Sequence, residues 1–351
     1  MRIPDAMERF DLLLRLAAAD GRGEALFGDA AGAVRPVYEK MLIGDHSPVA
    51  VLEFPLLGTP CMDLTVIYNR IERGAKFEKG RGYGYQPVFD WFSTLPVARG
   101  RLLGMSMDLG RGESSIAGVA FQETECPELH AGFFSVLGEE ARVPAFRSLQ
   151  NRMPPDMAVA YCGLFPGRPG LPMRAGGYFS GAAREAVISR PSELAARFGQ
   201  IGFTAWDDPL TRICSGLMRL APGADYQFDL GADGRLTETF SLGLSFGEIH
   251  ARETKEQLEN GPGGVLFGVL QRLGLADDRW KRIAGAARWQ TLPAVDESGI
   301  IVPFTLAIKL NYVKVKFISG IPQPAKCYFS MNMYALQQVQ AGMPVSNGPI
   351  R

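Results

Sequence analysis

The segment Ala325-Lys-Cys-Tyr-Phe-Ser-Met-Asn-Met-Tyr334 alternates two chemistries residue by residue. Ala325, Cys327, Phe329, Met331 and Met333 make one apolar set, while Lys326, Tyr328, Ser330, Asn332 and Tyr334 make a set that is polar throughout. Successive side chains of a strand point to opposite faces, so this segment reads as a strand with one face for a core and one for a polar space. Residues 304–318 precede it across Gly320-Ile321-Pro322, a turn signal, and the two form a hairpin. Their parity conflicts within one strand. Leu306, Ile308 and Leu310 make the even face apolar, whereas Val313, Val315 and Phe317 make the odd face apolar further on. Only a β-bulge lets Lys309, Lys314 and Lys316 share one face.

The same hairpin unit recurs upstream: 49–55 with 62–70, 102–109 with 115–121, 157–164 with 171–179, and 225–230 with 236–246. Gly58, Gly110-Arg111-Gly112, Pro166 to Gly170 and Asp233-Gly234 mark the turns. Helical spacing falls between them, at 9–19, 34–42, 86–95, 139–149, 192–198, 209–220, 248–273 and 277–289. The alternation repeats as well. Arg174, Gly176 and Tyr178 oppose Met173, Ala175 and Phe179; Asp225, Gln227 and Asp229 oppose Tyr226, Phe228 and Leu230.

Five hairpins supply ten strands, and a sheet of that size curls or exposes long edges, so closure is expected. The reading is a mixed α+β fold: a ten-stranded antiparallel β-barrel of five hairpins surrounded by helices, with a polar lumen. One domain over residues 1–336, with barrel strands at about 48–334 and a tail at 337–351, accounts for the chain.

Lys plus Arg and Asp plus Glu each number 37, so no bulk field draws the chain to nucleic acid or to a membrane surface. Arg accounts for 28 of the basic residues and Lys for nine, of which Lys309, Lys314, Lys316 and Lys326 lie in one short stretch. The five cysteines are widely spaced and form no CxxC pair, which reads as free thiols in a reducing compartment. No 18-residue apolar run and no secretory h-region is present, and a cytoplasmic location is expected.

Competing motifs are weaker. Gly243-Leu-Ser-Phe-Gly247 spells G-x-S-x-G, but the one downstream histidine, His250, follows Ser245 too closely for the hydrolase order. Gly80-Arg-Gly-Tyr-Gly-Tyr85 lacks the strand context of a nucleotide loop. Asp207-Asp208 and Asp277-Asp278 lack the third Asp of a metal-binding motif, Asp208 and Asp277 sit where helix caps belong, and His130 has no ligand-spaced partner.

Lys309-Leu-Asn-Tyr-Val-Lys-Val-Lys316 followed by Ala325-Lys-Cys-Tyr-Phe329, in five repeated helix and hairpin units, resembles the ABBA prenyltransferase barrel, most closely the bacterial cyanobactin-type peptide prenyltransferases. The resemblance implies prenyl transfer from a soluble allylic diphosphate to a nucleophilic side chain of a peptide or to a small aromatic acceptor. It implies that Arg70, Arg174, Lys326, Lys309 and Lys314 hold the diphosphate, that Tyr68, Tyr178 and Tyr328 shield the allylic cation, and that Glu53 is the catalytic base. No cofactor is implied beyond Mg2+ arriving with the diphosphate, and no metal-ligand cluster is present in the sequence. Strands 115–121 and 236–246 lack the Lys-x-Tyr pattern, and Gly176 stands where a second cation is expected. That departure supports two alternatives: a barrel with a degenerate diphosphate site that binds a peptide or small molecule, or another transferase or lyase chemistry in the same barrel.

Overall fold

The computed structural model describes residues 2, 4–43, 48–76, 83–98, 100–109, 115–166, 173–204, 206–231, 233–246, 251–296 and 299–335. His46, His250, the turn at 110–112, most of the turn at 166–170, the start of the Gly80 loop and the tail at 337–351 lie outside these residues.

Strands β1 (Val49–Pro55), β2 (Asp63–Tyr68), β3 (Leu102–Asp108), β4 (Ser115–Gln122), β5 (Met157–Leu164), β6 (Met173–Phe179), β7 (Gly223–Leu230) and β8 (Leu236–Ser245) follow the expected hairpins. After them come β9 (Arg288–Val295), β10 (Ile301–Ile318), β11 (Ile321–Pro322) and β12 (Lys326–Ala335). β12 pairs antiparallel with β1, and β10 pairs with both β12 and β8. Those pairings close β1 to β8, β10 and β12 into a ten-stranded antiparallel barrel.

Two stretches depart from the sequence reading. Residues 277–289 were expected to be helical, but the helix is confined to Trp280–Ala284, and Arg288 opens β9. β9 forms because residues 288–295 find backbone partners along Ile301–Ile308, the part of β10 that precedes the Tyr312–Ile318 segment paired with β8. Tertiary pairing overrides local propensity there. The helices Leu129–Val136 and Gly181–Ser189 were not anticipated. Ser180, which continues the polar face of β6 by parity, instead accepts from the Ala183 amide at 3.1 Å and caps the second of them. The 248–273 helical stretch is two helices, Ala251–Asn260 and Pro262–Arg272, broken at Gly261-Pro262.

The outer face of each strand packs under helices. In the helix Ala6–Ala18, Asp5 and Glu8 form a capping box, and Phe10, Leu13 and Ala17 are buried. Leu52, Phe54, Leu64, Val66, Met105, Phe121, Cys162, Ala175, Phe228, Leu242, Val315 and Phe329 belong to the same continuous core. Asp207, one residue before the expected Asp208, caps the helix Asp208–Met218 through the Leu210 amide at 2.7 Å. All five cysteines are free thiols. No helix among the described residues is long and apolar enough to cross a membrane.

Close approach at the β5–β6 pair makes a stability prediction. A Cβ on Gly177 would fall on the Ala158 carbonyl and 2.6 Å from the Tyr226 hydroxyl, which donates to that carbonyl at 2.7 Å. Backbone cannot swing away as a side chain can. Gly177→Ala is expected to destabilise the fold by about 3 kcal/mol, read as a lowered denaturant midpoint at unchanged slope.

Candidate active site

Two β-bulges decide what lines the lumen. In β10 the register to β12 shifts between Leu310 and Tyr312. Phe304, Leu306, Ile308 and Leu310 are core before the shift and Val313, Val315 and Phe317 after it, so Lys309, Tyr312, Lys314 and Lys316 all lie on the inner face. The bulge is held by Asn311, whose carbonyl accepts from the Phe246 amide at 2.6 Å and whose side-chain oxygen accepts from the Ser330 hydroxyl at 2.9 Å. A second shift, between Val159 and Tyr161 in β5, turns Tyr161 inward while Cys162 stays in the core. The β10 bulge is the distortion that the conflicting parity of 304–318 demanded.

Lys326, on β12, contacts the Glu53 carboxylate of β1, and its Nζ lies 3.5 Å from Asp63 Oδ2 of β2. Lys326 and Lys314 together hold the Glu53 carboxyl down to about 2 against its burial, so Glu53 is a fixed anion. Burial and the neighbouring Glu53 charge push the Asp63 carboxyl up. Lys314 Nζ stands 4.7 Å above the Tyr328 ring, which stacks on Tyr312 at 4.1 Å between centroids and 16° between planes.

Across the lumen, Arg174 on β6 donates from Nε to Asp229 Oδ1 of β7 at 2.8 Å, and Lys316 Nζ is 3.9 Å from Oδ2 of the same carboxylate. These charges hold the Asp229 carboxyl below its usual range although burial opposes them. The Arg174 guanidinium lies 4.6 Å from the centroid of Phe165, whose ring fills the space beside Gly118 and Gly163. Tyr178 donates to Gln122 Oε1 at 3.1 Å. Lys309 is 7 % exposed, and burial lowers its ammonium to about 8.

Asp225 on β7 sits between Tyr178 of β6 and Gly243 of β8 in the register. A Cβ at Gly243 would occupy the position of its carboxylate, so glycine there is what admits the acid. Burial raises the Asp225 carboxyl to about 6, with Lys314 and a hydrogen bond from Gln227 opposing the rise. Among the described residues the buried Tyr161 hydroxyl and Gln227 Oε1 find no hydrogen-bond partner, which leaves polar atoms inside the barrel available to a ligand.

Of the residues that the sequence reading proposed, Glu53, Arg174, Lys326, Lys309, Lys314, Tyr178 and Tyr328 come together on the inner face. Tyr68 and Arg70 do not. Tyr68 is 2 % exposed on the helix side of β2, donates to the Met41 carbonyl and meets Phe89 edge-on at 5.0 Å between centroids. Arg70 shares that parity, lies past the end of β2 and is exposed. The reason is visible in the sequence: Tyr68 has the parity of Leu64 and Val66, the apolar set, whereas Asp63 and Thr65 carry the inner face.

Tyr161, Phe165 and Asp63 were missed. Asp63 follows from the alternation of β2, but Tyr161 needs the bulge and Phe165 lies just past a strand end. Ser245 is an inner-face residue of β8, opposite Tyr312. His130 is 1 % exposed between Phe121 and Phe146, with Nδ1 3.0 Å from the Pro127 carbonyl. Among the described residues no group of His, Cys, Asp and Glu is placed to hold a metal ion.

No protein-family profile and no curated protein matches the chain. Solved structures do. PriB in a binary complex with product diphosphate is 13% identical, with 94% of this chain and 96% of that chain covered at a TM-score of 0.50. The 5-dimethylallyltryptophan synthase of Streptomyces coelicolor is 13% identical, covering 93% and 97% at 0.47. At 13% identity the likeness to PriB speaks for architecture alone, and it agrees with the pairing that closes the sheet. This chain has the ABBA barrel fold, ten antiparallel strands around a polar lumen with helices outside, that is seen in the prenyltransferase PriB.

Proposed function

We propose that this chain transfers a prenyl group from a soluble allylic diphosphate to a nucleophilic side chain of a peptide or to a small aromatic acceptor. The observation that carries the reading is one inner face on which Lys309, Lys314, Lys316, Lys326 and Arg174 converge around the stacked rings of Tyr312 and Tyr328. Breaking the allylic C–O bond sends its electron pair to the diphosphate, whose charge the ammonium and guanidinium groups neutralise. The cation left behind is stabilised by the faces of Tyr312, Tyr328 and Tyr178 and kept from water. A bacterial peptide-modifying role is supported by the resemblance of the 309–316 and 325–329 segments and goes no further than that.

The inner carboxylates Glu53 and Asp229 are committed to Lys326, Arg174 and Lys316, so they form no resident site for Mg2+. Mg2+ would enter as part of the substrate complex. The same carboxylates favour a second reading, a barrel that binds a peptide or small molecule with a degenerate diphosphate site, because Glu53, Asp63, Asp225 and Asp229 offset much of the basic charge.

Calorimetric titration with dimethylallyl and geranyl diphosphate, with and without Mg2+, separates the two. One molecule bound per chain, with a dissociation constant between about 1 µM and 1 mM, is the expected result. No heat at millimolar ligand would remove the enzyme reading.

A further inference from the structure

The geometry points to Asp225 as the group that accepts the proton from the attacking nucleophile, and this assignment rests on the prenyl-transfer reading. Glu53, the base that the resemblance implies, is in contact with Lys326 and faces Lys314. A carboxylate that gives up its proton at about 2 takes one up poorly near neutrality. Its charge orients Lys326. Asp225 differs in placement before it differs in acidity. It is 7 % exposed, has no ion pair within 4.0 Å among the described residues, and projects over Gly243, where no side chain competes for the space.

The groups facing Asp225 are Gln227 on its own strand, Tyr178 of β6, Tyr161 of β5, and Tyr312 and Lys314 of β10, with Tyr226 adjoining on the outer side. The acid therefore stands beside the ring faces that would hold the allylic carbons, whereas Arg174 and Lys316 are bound to Asp229 four residues along β7.

In the step, the C1–O bond of the diphosphate breaks and its electron pair leaves with diphosphate. A lone or π pair of the nucleophile then forms the new bond to the allylic carbon. The nucleophile's proton passes to an Asp225 oxygen and is later released to water. Unless that proton is removed, the captured adduct reverts and the ion pair recombines. Burial holds Asp225 at about 6, close to the working pH, which suits a general base.

The test follows diphosphate release from dimethylallyl diphosphate between pH 5 and 8, with water and tryptophan-containing tripeptides as nucleophiles, alongside calorimetric binding of the same diphosphate. Expected for the unaltered chain is a rate that rises with pH through about 6, where Asp225 loses its proton, and then levels. Asp225→Asn, which keeps the side-chain shape, should bind dimethylallyl diphosphate as before, lower the rate about 10²-fold and lose the acid limb. Glu53→Gln should weaken binding while retaining the limb.

An acid limb that survives in Asp225→Asn, or that vanishes in Glu53→Gln instead, overturns the assignment and leaves prenyl transfer standing. Binding without any diphosphate release overturns the assignment as well. Absence of binding by the unaltered chain removes the prenyl-transfer reading itself.

Discussion

Asp225→Asn should make the protein more stable at pH 7, by about 2 kcal/mol, while removing the activity proposed for it. A carboxyl moved from 3.8 up to about 6 on folding is penalised in its ionised form by about 3 kcal/mol at neutral pH, and the amide's own burial takes part of that gain back. The direction with pH is fixed by the raised value. Above about 6 the folded chain carries the cost of an ionised Asp225. Between about 6 and 4 the acid takes up its proton and the cost disappears, so the gain from Asn fades over that interval. Urea unfolding of both forms at pH 7 and pH 4.5 is the measurement. Equal stability at pH 7 would show that the carboxylate is solvated rather than enclosed. A buried acid that lowers stability and is nevertheless in place opposite a glycine is the pattern of a group retained for chemistry.

Lys326→Met is expected to act in the opposite sense on the fold and to weaken dimethylallyl diphosphate binding at least tenfold. The substitution leaves Glu53 beside Asp63 with its contacting ammonium gone. Breaking a buried pair costs about 3–5 kcal/mol, but the Lys326 side chain is 40% exposed, and about 2 kcal/mol is the corresponding figure here. Glu53 is the depressed case: its contribution is present above its ordinary value of 4.5 and is lost as pH falls towards about 2. The difference between the two forms should therefore shrink through that acidic window. Combining Lys326→Met with Glu53→Gln should restore most of the stability, because no unpaired charge remains, yet leave binding impaired. If the double variant recovers binding too, Lys326 serves the fold alone.

Taken together, these two substitutions describe a lumen whose stability is shaped by opposite errors in acidity. Glu53 is stabilised as an anion by Lys326 of the adjacent β12 and Lys314 of β10; Asp225 is kept anionic at neutral pH against its surroundings. In the folded chain, stability is expected to rise as pH falls from 7 towards 5 and to drop again below about 4, since the two carboxyls titrate with opposite sign.

Much of this architecture was legible in the residues themselves. Ten strands, their pairing in hairpins and the polar face of β6, β7 and β12 follow from strict alternation, because a strand has only two faces and one of them must meet the helices. Lys326, Tyr328, Arg174 and Tyr178 were placed by that rule, Glu53 came from the resemblance, and Tyr68 would have been excluded by alternation. The clash of parities in 304–318 even announced a bulge.

Tertiary structure alone decided where that bulge sits, that a second one turns Tyr161 inward, that residues 288–295 join β10 as a strand, and which lysine meets which carboxylate. Alternation is a property of one strand and travels with the sequence. Register between strands, and with it the acidity of Glu53 and Asp225, depends on distances between residues far apart in the chain, which exist only once the barrel has closed.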